Sequence, residues 1–88
     1  MPTFLDFHSM AKFTENDLKK SQKEPRDELG VKVLNTFYDS DSGTMFCLVD
    51  APDRYAVERH HSKFGMKCDW ITQVKMTVGY DSSDQANE

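Results

Sequence analysis

The feature that most constrains this chain is the order in which its apolar periodicities change between Thr3 and Tyr80. Thr3 to His8 alternate as a strand does, with Phe4, Asp6 and His8 on one side and Thr3, Leu5 and Phe7 on the other. Neither side is purely polar, so a central strand covered on both faces is expected. Thr14 can cap a following helix, and Asp17, three residues on, completes a capping box. That helix is expected to run to about Glu24. Pro25 removes a donor and crowds the preceding turn, and Gly30 suits a left-handed closing position.

Val31 to Tyr38 and Thr44 to Asp50 are rich in β-branched and aromatic residues and are joined by a polar loop ending in Gly43, which predicts a hairpin. Asp50-Ala-Pro-Asp opens a second helix, with Pro52 in its first turn and a stop at Gly65. Its inner stripe is expected to hold Val57, His60 or His61, and Phe64, with His61 better suited to the helix flank. A last strand is expected over Ile71 to Tyr80, followed by a polar tail over 81–88 with no reason to fold. The order β-α-β-β-α-β is an α+β, ferredoxin-like arrangement in which both helices cover one face of a four-stranded antiparallel sheet. Within it the first and third strands are expected side by side at the centre and parallel to each other. A single domain over 1–80 accounts for all of these elements.

A chain of 88 residues buries only a little over half of its unfolded surface, so its core is thin. Helices on one face leave the other uncovered, and a homodimer joined through those faces is the expected remedy. Lys and Arg total 11 against 15 for Asp and Glu, a net charge of −4, to which Asp81, Asp84 and Glu88 contribute from the tail. The basic field that nucleic acid or an anionic membrane needs is missing, so neither is expected as a partner. No apolar run approaches a membrane span and the start lacks the pattern of a signal peptide, which makes the cytoplasm the expected compartment. The two cysteines, Cys47 and Cys68, have no CxxC spacing and are expected as reduced thiols.

Asp6, His8, Cys47, His60 and His61 carry the side chains that bind divalent transition metals, which need imidazole, thiolate or carboxylate groups gathered from several elements. Asp6 and His8 are two apart on one strand and share a face. Helical and strand rises place His60 and Cys47 at similar distances from Asp50, so the two face each other if Met45, Cys47 and Val49 point toward the helices. The opposite phase is equally apolar and would turn Cys47 away. Singly, each residue also has a plainer reading: Cys47 and Cys68 as small packing residues, His60 as a hydrogen-bonded core histidine, Asp6 and His8 as a simple pair. No Gly-rich phosphate loop, GxSxG or HExxH motif occurs.

The opening MPTFLDFH, the run Gly43-Thr44-Met45-Phe46-Cys47-Leu48-Val49-Asp50-Ala51-Pro52 and a helix with histidine shortly before a glycine together resemble a family of small bacterial ferredoxin-like domains. These are largely uncharacterised and often described as nickel-binding. The resemblance spans residue 2 to about 80, and departs from the family pattern at Phe64 and near Gln22, where relatives carry histidine. It implies a dimeric cytoplasmic protein that binds a transition metal, nickel or zinc, with Asp6, His8, Cys47 and His60 on the recurrent polar positions.

A non-catalytic metal-binding role is therefore the leading expectation. Two others stand beside it. A His–Asp pair lining a pocket could perform acid–base chemistry on a small molecule. An interaction or regulatory domain would instead keep His8, Cys47 and His60 more than a water bridge apart.

Overall fold

A computed structural model describes residues 1–10 and 12–77. Six elements follow in the order β1 (Thr3–Ser9), α1 (Glu15–Lys23), β2 (Lys32–Asp39), β3 (Thr44–Asp50), α2 (Arg54–Ser62) and β4 (Trp70–Val74). The sheet order is β2-β3-β1-β4 with every neighbouring pair antiparallel. This is the expected ferredoxin-like fold with one correction: β1 and β3 are central neighbours but antiparallel. The reason is topological. The α1 crossover returns β2 in the direction of β1, and the hairpin then sends β3 back between them in the opposite direction. The sheet lacks strand structure over residues 75–77, so β4 is shorter than expected. Residues 78–80 of that strand and the tail over 81–88 lie outside the described residues.

The capping box forms as the sequence predicts: the Asp17 amide donates to Thr14 Oγ1 at 3.2 Å and the Thr14 amide to Asp17 Oδ2 at 2.8 Å. α2 starts later than its sequence suggests because Asp53, not Asp50, caps it, accepting from the Ala56 amide at 2.8 Å. Pro52 thus precedes the helix and packs against Gly30. At φ +83° Gly30 occupies the left-handed region, and a Cβ there would meet Pro52 Cγ at 2.9 Å. This contact ties the connection after α1 to the start of α2.

The core lies between the sheet and the helices. Phe4, Asp6 and His8 of β1, Met45, Cys47 and Val49 of β3, Val33 of β2 and Ile71 of β4 are buried beneath Leu18 of α1 and Ala56, Val57 and His61 of α2. The period of two then sends the other set to the outer face. A bulge between Val33 and Asn35 shifts the phase of β2, so that Phe37 aligns with Phe46. Phe46 aligns in turn with Phe7, and Phe7 with Trp70. One aromatic row therefore crosses all four strands on the face that neither α1 nor α2 covers.

Candidate metal centre

Strand register builds the first part of the site. Cys47 stands directly across from Asp6, and His8 follows Asp6 by two residues on the same face. The phase of β3 that turns Cys47 toward the helices is the one observed, since Met45, Cys47 and Val49 are buried with Phe4, Asp6 and His8. His8 Nε2 lies 3.6 Å from Cys47 Sγ and 3.6 Å from Asp6 Oδ1.

The fourth member comes from α2 and is His61. One helical turn after the fully buried Val57, it projects onto the sheet with Nε2 3.2 Å from Asp6 Oδ1, its ring edge-on to His8. One donor atom from each of Asp6, His8, Cys47 and His61 lies within 4.8 Å of every other. Their exposures are 0, 1, 4 and 2 % in that order.

His60 takes a different direction. Its Nδ1 sits 2.6 Å from Asp27 Oδ2, on the flank of α2 that faces the connection after α1. Asp27 also receives Lys63 Nζ at 3.0 Å and the Leu29 and Val31 amides at 2.9 Å each. Burial pulls the Asp27 pKa upward, but the donors from His60, Val31, Lys63 and Leu29 outweigh it and hold the carboxyl well below its usual range. Asp27, whose part in fixing His60 has no sequence signature, thus binds the histidine that strand and helix rises alone place opposite Cys47. The signal for His61 was the four-residue step from Val57.

Hydrogen bonds fix what the buried imidazoles offer. His8 Nδ1 is 2.6 Å from the Ser9 carbonyl and His61 Nδ1 2.8 Å from the Val57 carbonyl. A carbonyl only accepts, so each Nδ1 carries its proton and donates. Both Nε2 atoms then converge on the Asp6 carboxylate, which also only accepts. The His61 approach is off the line of a ring N–H, and both Asp6 oxygens are buried without an aligned hydrogen-bond partner among the described residues. Leaving a carboxylate in this state costs several kcal/mol by general estimates unless a proton or cation sits among the converging atoms.

Proton affinities follow from the same packing. Burial lowers the His8 pKa against the pull of its bond to the Ser9 carbonyl, which favours a neutral ring. Burial acts downward on His61 too, but Asp6, Cys47 and Cys68 beside it carry its pKa above the ordinary value. Burial raises the Cys47 thiol. An apo site therefore holds protons on His61 and Cys47 at neutral pH. A divalent cation with two neutral imidazoles, one carboxylate and one thiolate is also a donor set of balanced charge, so the residues fit a metal ion.

A cleft of about 550 Å³ opens between α1 and α2, with Cys47 and His61 in its wall beside Leu18, Met45 and Phe64. Asp6 and His8 lie outside its lining. Cys68 is half-buried and packs against the core. Among the described residues no helix is long and apolar enough to cross a membrane.

Comparison with solved structures finds the crystal structure of SCO4226 from Streptomyces coelicolor A3(2), with a TM-score of 0.69 and 29% identity over 86% of this chain and 99% of that one. No curated protein matches. The model of the SCO4226-like family, described as nickel responsive proteins, matches residues 4–74. On the extent of that match, the chain belongs to the SCO4226-like family of nickel responsive proteins.

Proposed function

We propose that this protein binds one divalent transition-metal ion, of the nickel or zinc type, through Asp6, His8, Cys47 and His61, and that it acts as a metal-binding module without catalysing a reaction. One observation carries the reading: two imidazoles whose Nδ1 atoms are committed to carbonyls present both Nε2 atoms to a fully buried carboxylate that makes no aligned hydrogen bond among the described residues. The family's description as nickel responsive supports the same reading. The ion would neutralise the Asp6 carboxylate and the Cys47 thiolate. His60 is assigned an outer role, fixing the wall of the cleft through Asp27.

Acid–base catalysis has less support. The cleft is large enough for a small molecule, yet the Asp6–His8 pair that would do the chemistry is absent from its lining. Calorimetric titration of the purified protein with Ni²⁺ and with Zn²⁺ tests the proposal. Binding of one ion per chain is expected, and heats indistinguishable from dilution at micromolar metal would reject it.

A homodimer formed through the outer sheet face belongs to the same reading. Phe37 and Trp70, at the two ends of the aromatic row, are 55 and 41 % exposed, and the Phe7, Phe46 and Trp70 rings pack with centroids 4.8 to 6.1 Å apart, Phe7 stacked on Trp70 and the other two pairs tilted. An exposed aromatic row of this kind suits a second copy of itself related by a two-fold axis.

A further inference from the structure

We propose that His60 is a transit ligand on the wall of the cleft between α1 and α2, admitting a divalent ion to the buried centre and releasing it by the same path. This inference rests on the metal-binding reading above.

The four donors of the centre are at most 4 % exposed, so solvent has no broad opening onto them. Asp6 and His8 lie outside the lining of the cleft, whereas Cys47 and His61 belong to it. The cleft therefore reaches the centre from the Cys47 and His61 side, with the carboxylate behind them. Leu18, Met45 and Phe64 of its wall offer a cation nothing in exchange for the water it sheds, which makes an unassisted passage costly. His60 lines the same cleft, and its ring centroid is 5.4 Å from that of His61. It supplies a polar stop beside the apolar wall.

Its partners leave the right atom free for that task. A carboxylate only accepts, so the 2.6 Å contact with Asp27 Oδ2 places the proton on His60 Nδ1. Nε2 makes no hydrogen bond among the described residues and is not one of the buried unpartnered atoms, so it is open to solvent. An imidazole that donates one ring N–H to a carboxylate and keeps the other nitrogen open is oriented as metal-binding histidines are. Asp27 is itself pinned by the Leu29 and Val31 amides and by Lys63, so the ring is aimed in advance. Lys63 also bonds Glu28 at 2.9 Å, and its charge is thus paired with two carboxylates.

His60 contributes no atom to the final cluster of Asp6, His8, Cys47 and His61. A group that touches the ion only in passage stabilises the barrier and neither end state. It speeds entry and release by the same factor and leaves the equilibrium affinity unchanged.

Stopped-flow mixing of the metal-free protein with Zn²⁺, and transfer of Zn²⁺ from the loaded protein to an excess of a chromophoric chelator, read the two rates. His60→Ala and His60→Gln, their folds checked by circular dichroism, should slow both rates at least about tenfold and keep the dissociation constant within about threefold of the parent. Cys68→Ser alters a half-buried thiol outside the cleft lining and should leave both rates unchanged. Unchanged rates in the His60 variants, or slowing by Cys68→Ser alone, would overturn the proposal and leave metal binding standing. So would faster entry and release, the mark of a side chain that merely narrows the cleft, or loss of affinity through faster release, the mark of a resident ligand. Failure of the parent to take up Zn²⁺ would instead reject metal binding itself, and this inference with it.

Discussion

His61 Nε2 lies 3.2 Å from Asp6 Oδ1, and this approach joins α2 to the centre of the sheet through two groups that are almost wholly buried. Its neighbour His60 is bound to Asp27 at the edge of the same helix. The two histidines, adjacent in sequence, therefore have separable duties. His61→Ala should weaken metal binding by at least about 100-fold, more than the roughly 10–100-fold typical of losing an outer hydrogen-bond partner. His60→Ala should leave affinity within about tenfold of the parent and lower stability by about 1–2 kcal/mol. Titration calorimetry and urea unfolding of both variants separate the two effects.

In the metal-free protein the Asp6 carboxylate is balanced by the proton that His61 carries 3.2 Å away. Asp6→Asn removes the charge that holds the proton on His61, so the metal-free variant should be less stable than the parent at neutral pH by about 3 kcal/mol. Added Zn²⁺ or Ni²⁺ should raise the parent's melting temperature and leave that of the variant nearly unchanged. A metal-free variant as stable as the parent, or more stable, would show that Asp6 and His61 do not pair in the metal-free fold.

Much of the architecture is readable from local signals. Alternation in Thr3–His8, the Thr14/Asp17 capping box and the Gly43 hairpin are short-range features, and each appears where the sequence places it. The site is legible in part. Asp6 and His8 share a face by the period of the strand alone, whereas the inward phase of Cys47 depends on which face the helices cover. The choice between His60 and His61 depends on a partner 33 residues away, Asp27, whose hold on His60 is a tertiary hydrogen bond. The phase change that turns Phe37 outward depends on a bulge, which apolar alternation does not announce.

The Asp27 pKa is depressed in the folded protein by donors from His60, Lys63 and two amides, against the upward pull of burial. A group of this sign contributes stability that is complete above its unfolded pKa, about 3.9, and is lost as pH falls through the lower folded value. Asp27→Asn should therefore cost about 2 kcal/mol at pH 7, and its deficit relative to the parent should shrink only below about pH 4. Urea midpoints measured from pH 7 down to pH 2 give the profile. A deficit already vanishing at pH 6 would contradict it.

Metal affinity should rise with pH across the neutral range, because the ion must displace the protons that the raised His61 and Cys47 retain. Titrations at pH 6, 7 and 8 in buffers of different ionisation enthalpy would show proton release. Affinity independent of pH, with no protons released, would argue against thiolate and imidazole ligation.

Phe37 is the exposed end of the aromatic row and lies away from both helices. Phe37→Lys should leave the circular dichroism unchanged and raise the dimer dissociation constant by at least about tenfold. Analytical ultracentrifugation over a concentration series measures both parent and variant. A parent that sediments as a monomer throughout would reject self-association.

The most direct measurement of the central claim is equilibrium dialysis against Zn²⁺ and Ni²⁺, followed by elemental analysis of the retained ion per chain. The account gives a stoichiometry of one for the parent and for His60→Ala, and close to zero for His61→Ala and for Asp6→Asn. Equal retention by all four proteins, or none by the parent, would contradict a metal centre built from Asp6, His8, Cys47 and His61.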